Sequence, residues 1–191
     1  MATNDAPGAL ATLAPIVDRV RGDVTAVRKA DGRQAWTRDA LTPARLAKHL
    51  SGGPARGVCP IKAGESTTRV AVLDLDSHKG EVEWPEMCRV AAGIIDALAL
   101  VGLYAQPFRS TGGRGLHLYL LWDAPQDARS VRLMLADVLA GCGLKPGVRG
   151  VGAGEVEIFP KQDSVPDDGL GSQFILPLAG ASVPMDTKGT R

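Results

Sequence analysis

Two aspartates separated by a single residue are the first feature of this sequence that suggests chemistry. Asp74 and Asp76 lie in RVAVLDLD, residues 69–76, a run of branched apolar residues typical of a β-strand. Side chains two positions apart on a strand point to the same face, roughly 6.5–7 Å apart along the backbone. Two carboxylates so close repel unless a cation lies between them, and Mg²⁺ or Mn²⁺ takes carboxylate oxygens. The pair predicts a metal site, although a solvated strand end has the same pattern.

A third carboxylate is expected from the later strand EVEIF, residues 155–159. Glu157 completes a two-metal site for in-line phosphoryl transfer if this strand lies beside the first one. Glu155 is the competing ligand, because it lies on the same face one pleat away. The spacing alone leaves these two glutamates as alternatives.

The segment RSTGGRGLHLY, residues 109–119, has the composition of a loop that holds an anion. Its glycines, Gly113 among them, let the backbone approach a ligand, and successive N–H groups can form an anion nest. Arg114 adds a planar cation suited to phosphate oxygens, and Ser110 and Thr111 add hydroxyl donors. No G-K-[ST] follows, so the segment is not a Walker A motif. A glycine-rich hairpin turn is the other interpretation.

The elements that position these residues follow from the hydrophobic spacing. Apolar positions three and four apart predict helices from about 84 to 100 and from about 126 to 140. Strands are predicted between and around them, at 69–76, 103–110 (an edge strand, because it contains Pro107), 116–122, 155–159 and 173–178. The order β-α-β-β-α-β predicts an α+β fold with an RRM-like, ferredoxin-like split βαβ core.

This topology predicts which strands are neighbours. The strand at 69–76 should be flanked by 116–122 and 155–159. Alternation then places the acids and His117 on one open face, while the all-apolar faces lie under the two helices. Because His117 follows the glycine-rich loop and faces the acids, we expect its imidazole to bind a phosphate.

The chain is expected to have three parts. Residues 1–65 form a mixed α/β portion packed on the core, residues 66–180 form the RRM-like core, and residues 181–191 form a tail or the start of a further segment. The N-terminal portion contains a short helix in LTPARLAKHLSGG, with Thr42 as the N-cap and Pro43 as the first helical residue.

Composition narrows the function classes. The net charge is +1, with 22 basic and 21 acidic residues, so a surface for nucleic acid has to be local. The 3 cysteines contain no CxxC pair, which disfavours a zinc site or a disulfide framework and favours a reducing cytoplasm. The longest apolar stretch, residues 90–103, is too short and too interrupted to span a membrane, and no signal peptide is expected.

Three segments together resemble a known family. AVLDLD, STGGRGLHLYLLW and EIFPKQDSVPDDGLGSQFILPLAG resemble, in order, the three catalytic motifs of the archaeo-eukaryotic primase superfamily. The loop is also similar to that of the polymerase domain of bacterial end-joining ligases. The segment 159–178 is more similar to the primases of TOTE conflict systems and to related phage or plasmid primase-polymerases. The resemblance covers about residues 57–180.

The resemblance implies roles for particular residues. Asp74, Asp76 and Glu157 would be the catalytic metal ligands of a two-metal site. Binding of the nucleotide phosphates would fall to a second set: Ser110, Thr111, Gly113, Arg114, His117 and Lys161. Further candidates are His78 for the metal or substrate, Gln162 for the nucleotide or template, and Arg56 and Lys62 for template phosphates.

The resemblance also implies an activity. We expect a DNA primase or primase-polymerase that uses Mg²⁺ or Mn²⁺, takes NTP or dNTP, and binds single-stranded or primer–template DNA. By analogy with the family, the expected partner is a helicase domain or a helicase protein. Two alternatives use the same residues: a metal-dependent nuclease or nucleotide hydrolase, and a non-catalytic RRM-like module for single-stranded nucleic acid. The aromatic content of 4% and the carboxylates on the central strands disfavour the last.

Overall fold

The computed structural model describes residues 6–28 and 34–186. Its helices are α1 (Ala6–Val17), α2 (Pro43–Leu50), α3 (Trp84–Leu100) and α4 (Ala128–Gly141). Its strands are β1 (Thr25–Arg28), β2 (Gln34–Thr37), β3 (Arg56–Val58), β4 (Thr67–Leu75), β5 (Gln106–Arg109), β6 (Leu116–Asp127), β7 (Lys145–Pro146), β8 (Glu155–Phe159) and β9 (Phe174–Ile175). Within the described ranges the strands form a smaller sheet, in the order β2-β1-β3-β9, and a larger sheet, in the order β5-β6-β4-β8-β7.

The larger sheet has the strand order that the sequence predicted. β4 pairs antiparallel with β6 on one side and with β8 on the other, and β5 lies outside β6. The outer edge of β5 is covered by the chain near Val183, whose carbonyl accepts from Arg109 N–H, and by Met185, whose N–H donates to Pro107. Pro107 lacks an N–H, but its backbone faces the outer edge of the sheet and not β6. No hydrogen bond between β5 and β6 is therefore lost at this position.

Helices α3 and α4 cover one face of the larger sheet, also as predicted. α3 begins with a proline in its first turn, and α4 is capped by Asp127, whose carboxylate accepts from Ser130 N–H at 2.8 Å. The core between helices and sheet includes Leu73, Leu118 and Ile158, which lie on the apolar sides of the three central strands. Alternation along these strands therefore places the acidic side chains on the face away from the helices.

The other face is less open than the sequence predicted. Val70 and Val72 share the face of Asp74, and together with Tyr119 they form a second core with Leu13 and Phe174. That core lies under α1 and the smaller sheet, so only the ends of the central strands remain accessible. Two branched apolar residues preceding Asp74 are the sequence feature that accounts for this cover, because a strand buried on both sides carries apolar residues on both faces.

The smaller sheet joins distant parts of the chain. Its strand β9 comes from the predicted segment 173–178, of which only Phe174–Ile175 is a strand, and it pairs with β3 near the other end of the chain. β9 thus belongs to the same sheet as β1, β2 and β3, and the division of the chain at residues 65 and 180 remains a prediction. None of the helices in the described ranges has the length and apolar character needed to cross a membrane.

Candidate active site

A polar cavity of about 490 Å³ lies where the central strands of the larger sheet end. It brings together most of the residues that the sequence singled out: Asp74, Asp76, His78, Ser110, Thr111, Arg114, His117, Glu157 and Lys161. The pairing of the strands explains this convergence. Asp74 on β4 is directly opposite His117 on β6 and directly opposite Glu157 on β8. Three residues distant in sequence are therefore neighbours across the sheet, as the alternation predicted.

Asp74 is the centre of this arrangement. Its Oδ1 lies 3.2 Å from Nε2 of His117, within ion-pair distance, but this buried oxygen accepts no hydrogen bond of good geometry from any described residue. Leaving a carboxylate oxygen buried without a donor is costly. A cation beside Asp74 would remove this cost.

His117 is buried and placed to donate from both ring nitrogens. The hydroxyl of Tyr119 donates to the carbonyl of Ile175 at 2.8 Å, so its oxygen faces Nδ1 of His117, at 3.5 Å, as an acceptor. Burial by itself lowers the pKa of His117, but the Asp74 carboxylate, aided by Asp76 and Glu157, raises it above the ordinary value. The carboxylates around the imidazole therefore favour its protonated form, in which Nε2 carries a hydrogen on the side of Asp74.

Asp76 follows the end of β4, and its backbone is fixed by another loop. Its carbonyl accepts from Val151 N–H at 2.9 Å, and Nε2 of His78 lies 2.7 Å from the carbonyl of Val148 in that same loop. The pKa of the Asp76 carboxyl is raised, first because the cavity removes it from water and second because Asp74 lies beside it. Repulsion between these two acids is what a divalent cation relieves.

Glu157 is the third carboxylate of the cavity. Its Oε2 lies 2.8 Å from Nζ of Lys161, so the side chain is paired with a lysine. Among the described residues, no group of three acidic, histidine or cysteine side chains is already arranged to hold a metal ion. Asp74, Asp76 and Glu157 nevertheless supply the oxygen donors that Mg²⁺ and Mn²⁺ prefer, and the bare oxygen of Asp74 fits a cation.

The glycine-rich segment is a hairpin loop, and it also lines the cavity. Ser110 closes it, because Ser110 N–H donates to the Gly115 carbonyl at 2.8 Å and Ser110 Oγ accepts from Gly115 N–H at 3.0 Å. Arg109 holds the tip by donating from Nε to the carbonyl of Gly113, and its guanidinium stacks on Trp84. The hairpin interpretation and the anion-loop interpretation therefore describe the same structure.

Two groups of the loop are candidates for binding an anion. Thr111 Oγ1 is buried and has no hydrogen-bond partner, whereas the hydroxyl of Ser110 is used within the loop. Arg114 lines the cavity and pairs with no carboxylate among the described residues. Gly113 does not line the cavity; its φ of 76° makes the turn instead.

Glu155, which the sequence left as the alternative third metal ligand, lies outside the cavity. Its buried carboxylate accepts from the backbone N–H of Arg149 at 3.1 Å and from Nε of the same residue at 2.9 Å. These hydrogen bonds from Arg149 hold the pKa of Glu155 at about 2. Glu155 thus braces the loop before β8 and does not line the cavity.

Three further candidates also lie outside the cavity. Arg56 is buried on β3 and donates to Thr25 Oγ1 at 3.3 Å, Lys62 lines a separate surface groove, and the side chain of Gln162 accepts from Ser172 N–H. Sequence reasoning missed the apolar part of the cavity lining, to which Phe159 and Phe174 contribute. Phe159 could have been identified, because alternation places it on the face of Glu157. The segment of β9 was predicted to be a strand, but no local pattern indicated that it lines the cavity.

A sheet of this strand order with an acidic cavity at the strand ends fits the fold of primase-polymerases, the class of nucleotidyltransferases that the sequence resembles. The family described as "TOTE conflict system, Archaeo-Eukaryotic Primase domain" matches residues 21–188, and this chain belongs to it.

Comparison with one solved structure agrees on the fold, and a second structure is similar at a lower TM-score. The polymerase domain of Ligase D from Mycobacterium tuberculosis, solved in complex with DNA, is similar with a TM-score of 0.57 and 19% identity, over 89% of this chain and 72% of that one. The archaeo-eukaryotic primase domain of the primase-polymerase from cyanophage S-2L has a TM-score of 0.47 and 15% identity, over 87% and 95% of the two chains. Comparison with curated proteins gives no significant match.

Proposed function

We propose that this chain is the catalytic domain of a template-dependent DNA primase or primase-polymerase with a two-metal site for Mg²⁺ or Mn²⁺. The observation that carries the proposal is the position of Asp74. It lies between His117 and Glu157 on adjacent strands, and its buried oxygen lacks a hydrogen bond. An acid beside a phosphate-binding histidine fits nucleotidyl transfer, in which a cation and an anion bind side by side.

The acids and the basic groups have separate tasks in this proposal. Asp74, Asp76 and Glu157 hold the cations, which when bound lower the cost of deprotonating the primer 3′ hydroxyl and neutralise the pyrophosphate. His117 donates to the phosphates, and the hairpin loop orients them through two groups: Thr111 Oγ1 and the Arg114 guanidinium. No protein nucleophile is required.

The cavity has room for a nucleoside triphosphate. Its volume of about 490 Å³ lies within the range of small-molecule sites. One wall is apolar, because Phe159 and Phe174 meet edge to face with ring centres 6.1 Å apart. These rings suit the sugar or base of the nucleotide, whereas the acids and the loop suit its charged triphosphate. The distribution of polar and apolar groups in the cavity therefore sets the orientation of the nucleotide. Both NTP and dNTP remain substrates to be tested.

The test is nucleotide incorporation on single-stranded and primer–template DNA, with NTP and dNTP and with Mg²⁺ and Mn²⁺. Asp74→Asn should reduce incorporation by about a thousandfold, because a ligand charge at the reacting centre is lost. The control is Asp137→Asn, which changes an exposed aspartate of α4 outside the cavity. Full incorporation by Asp74→Asn would contradict the proposal. DNA cleavage or nucleotide hydrolysis without incorporation would instead assign the same acids to a hydrolase.

A further inference from the structure

Glu157 is neutralised by a lysine of its own chain. Nζ of Lys161 lies 2.8 Å from Glu157 Oε2, and the same ammonium lies 4.8 Å from the centre of the Phe159 ring. The backbone N–H of Lys161 donates to Ser172 Oγ at 3.2 Å, which fixes the start of the side chain. The ammonium therefore lies beside Glu157 and over the Phe159 ring, at residues that line the cavity.

This ion pair competes with the role proposed for Glu157. Glu157 is directly opposite Asp74, whose buried oxygen lacks a hydrogen bond. A divalent cation shared by these two carboxylates needs the Glu157 oxygens, and a carboxylate that coordinates a cation loses most of its attraction for an ammonium. Binding of the cation and retention of the Lys161 pair are thus opposed.

Two other basic groups of the cavity, His117 and Arg114, do not form an exchangeable pair of this kind. His117 pairs with Asp74 and is fixed behind by Tyr119, while Arg114 pairs with no carboxylate among the described residues. Lys161 is exposed over 41% of its side chain and lies at the cavity rim, so it can change partner without leaving a buried charge. An anionic ligand in the cavity is the partner within its reach.

We propose that Lys161 is a positioning residue that takes the place of a cation at Glu157 and transfers to the nucleotide phosphates when a divalent cation binds. This inference rests on the proposed function. It has a thermodynamic consequence, because coupling between two ligands is reciprocal. Lys161 weakens metal binding to the free chain and strengthens it when a triphosphate is present, so the site fills with metal and nucleotide together.

The test measures Mn²⁺ affinity by calorimetry, without and with saturating inorganic triphosphate. Lys161→Met keeps most of the aliphatic stem and removes the charge, so without triphosphate it should bind Mn²⁺ about fivefold more tightly than the unmodified chain. The gain in Mn²⁺ affinity on adding triphosphate should be more than about fivefold smaller in the variant, because Lys161 also strengthens metal binding when triphosphate is present. The matched control is Lys145→Met, because Lys145 pairs with Glu155 on the same strand at 3.6 Å, outside the cavity. This control should change neither quantity.

Two outcomes overturn the inference: unchanged or weaker Mn²⁺ binding by Lys161→Met, or equal shifts in both lysine variants. Asp74→Asn separates this failure from a failure of the proposed function. If the unmodified chain binds Mn²⁺ and Asp74→Asn does not, a negative result for Lys161 rejects the exchange of partners alone. If neither binds Mn²⁺, the metal site itself is rejected. Thermal unfolding of each variant verifies that it is folded.

Discussion

The two hydroxyls of the hairpin loop differ in what they already bind. Ser110 Oγ accepts from Gly115 N–H, whereas Thr111 Oγ1 is buried without a partner. Thr111→Val should therefore leave the free energy of unfolding almost unchanged and weaken triphosphate binding in Mn²⁺ by about tenfold, because a hydrogen bond to a charged group is lost. Ser110→Ala should instead cost about 1–3 kcal/mol of stability, since a buried N–H loses its acceptor. Urea unfolding and calorimetry with inorganic triphosphate measure the two effects, and the reverse pattern would exchange the roles of the hydroxyls.

The two glutamates of β8 show which features of individual site residues could be predicted from the sequence and which could not. The alternation of side chains along β8 correctly placed Glu157 beside Asp74. The same alternation placed Glu155 on the same face, so it could not distinguish the two glutamates. What separates them is Arg149, which binds Glu155 through its backbone and its side chain. A partner six residues earlier in a loop is not fixed by strand periodicity, so the sequence could only leave both glutamates as alternatives.

The position of the hairpin loop against β4 depends on Gly115. A Cβ added there would lie 2.3 Å from the Leu75 carbonyl oxygen and 3.1 Å from Asp76 Oδ1. Gly115→Ala should therefore push the loop away from the acids, with a loss of about 1–3 kcal/mol in the free energy of unfolding and a fall in nucleotide incorporation. Gly112→Ala is the matched control, because a Cβ at that position meets no atom within 4 Å. Equal effects of the two variants would show that this contact does not position the loop.

Elements with strong local patterns were predictable, and the pairing between distant parts of the chain in the smaller sheet was not. The spacing of apolar residues predicted α3 and α4, and the composition of 69–76 predicted β4, because each pattern repeats over many residues. β9 lies within the segment 173–178, which was predicted to be a strand, but its length of two residues and its pairing with β3 were not predicted. The cover over Val70 and Val72 was missed for the same reason, since an apolar face does not specify which element packs on it.

At the scale of the whole molecule, one histidine joins three separate parts of the chain. Nδ1 of His49 on α2 accepts from the backbone N–H of Arg56 at 3.0 Å, and Nε2 lies 2.8 Å from the carbonyl oxygen of Pro177. The first contact uses the lone pair of Nδ1, so the proton is on Nε2 and the ring is neutral. Protonating Nδ1 would place two hydrogens against each other inside the protein, and His49 is fully buried.

The stability of the fold should therefore decline in weakly acidic solution through His49. Burial lowers the pKa of His49 below 6.5, the hydrogen bond to Pro177 opposes this, and the charge of Arg56 adds to the lowering. Because the unfolded chain takes up the proton first, the contribution of neutral His49 is complete above pH 6.5 and is lost as the pH falls toward the lowered value. His49→Gln keeps an acceptor and a donor but cannot be protonated, so the stability difference between the unmodified chain and this variant should shrink from pH 8 to pH 5.5. His117 titrates in both chains and cancels in the comparison, which urea unfolding at each pH measures. A difference that is constant or grows toward pH 5.5 would show that His49 is not held neutral by the fold.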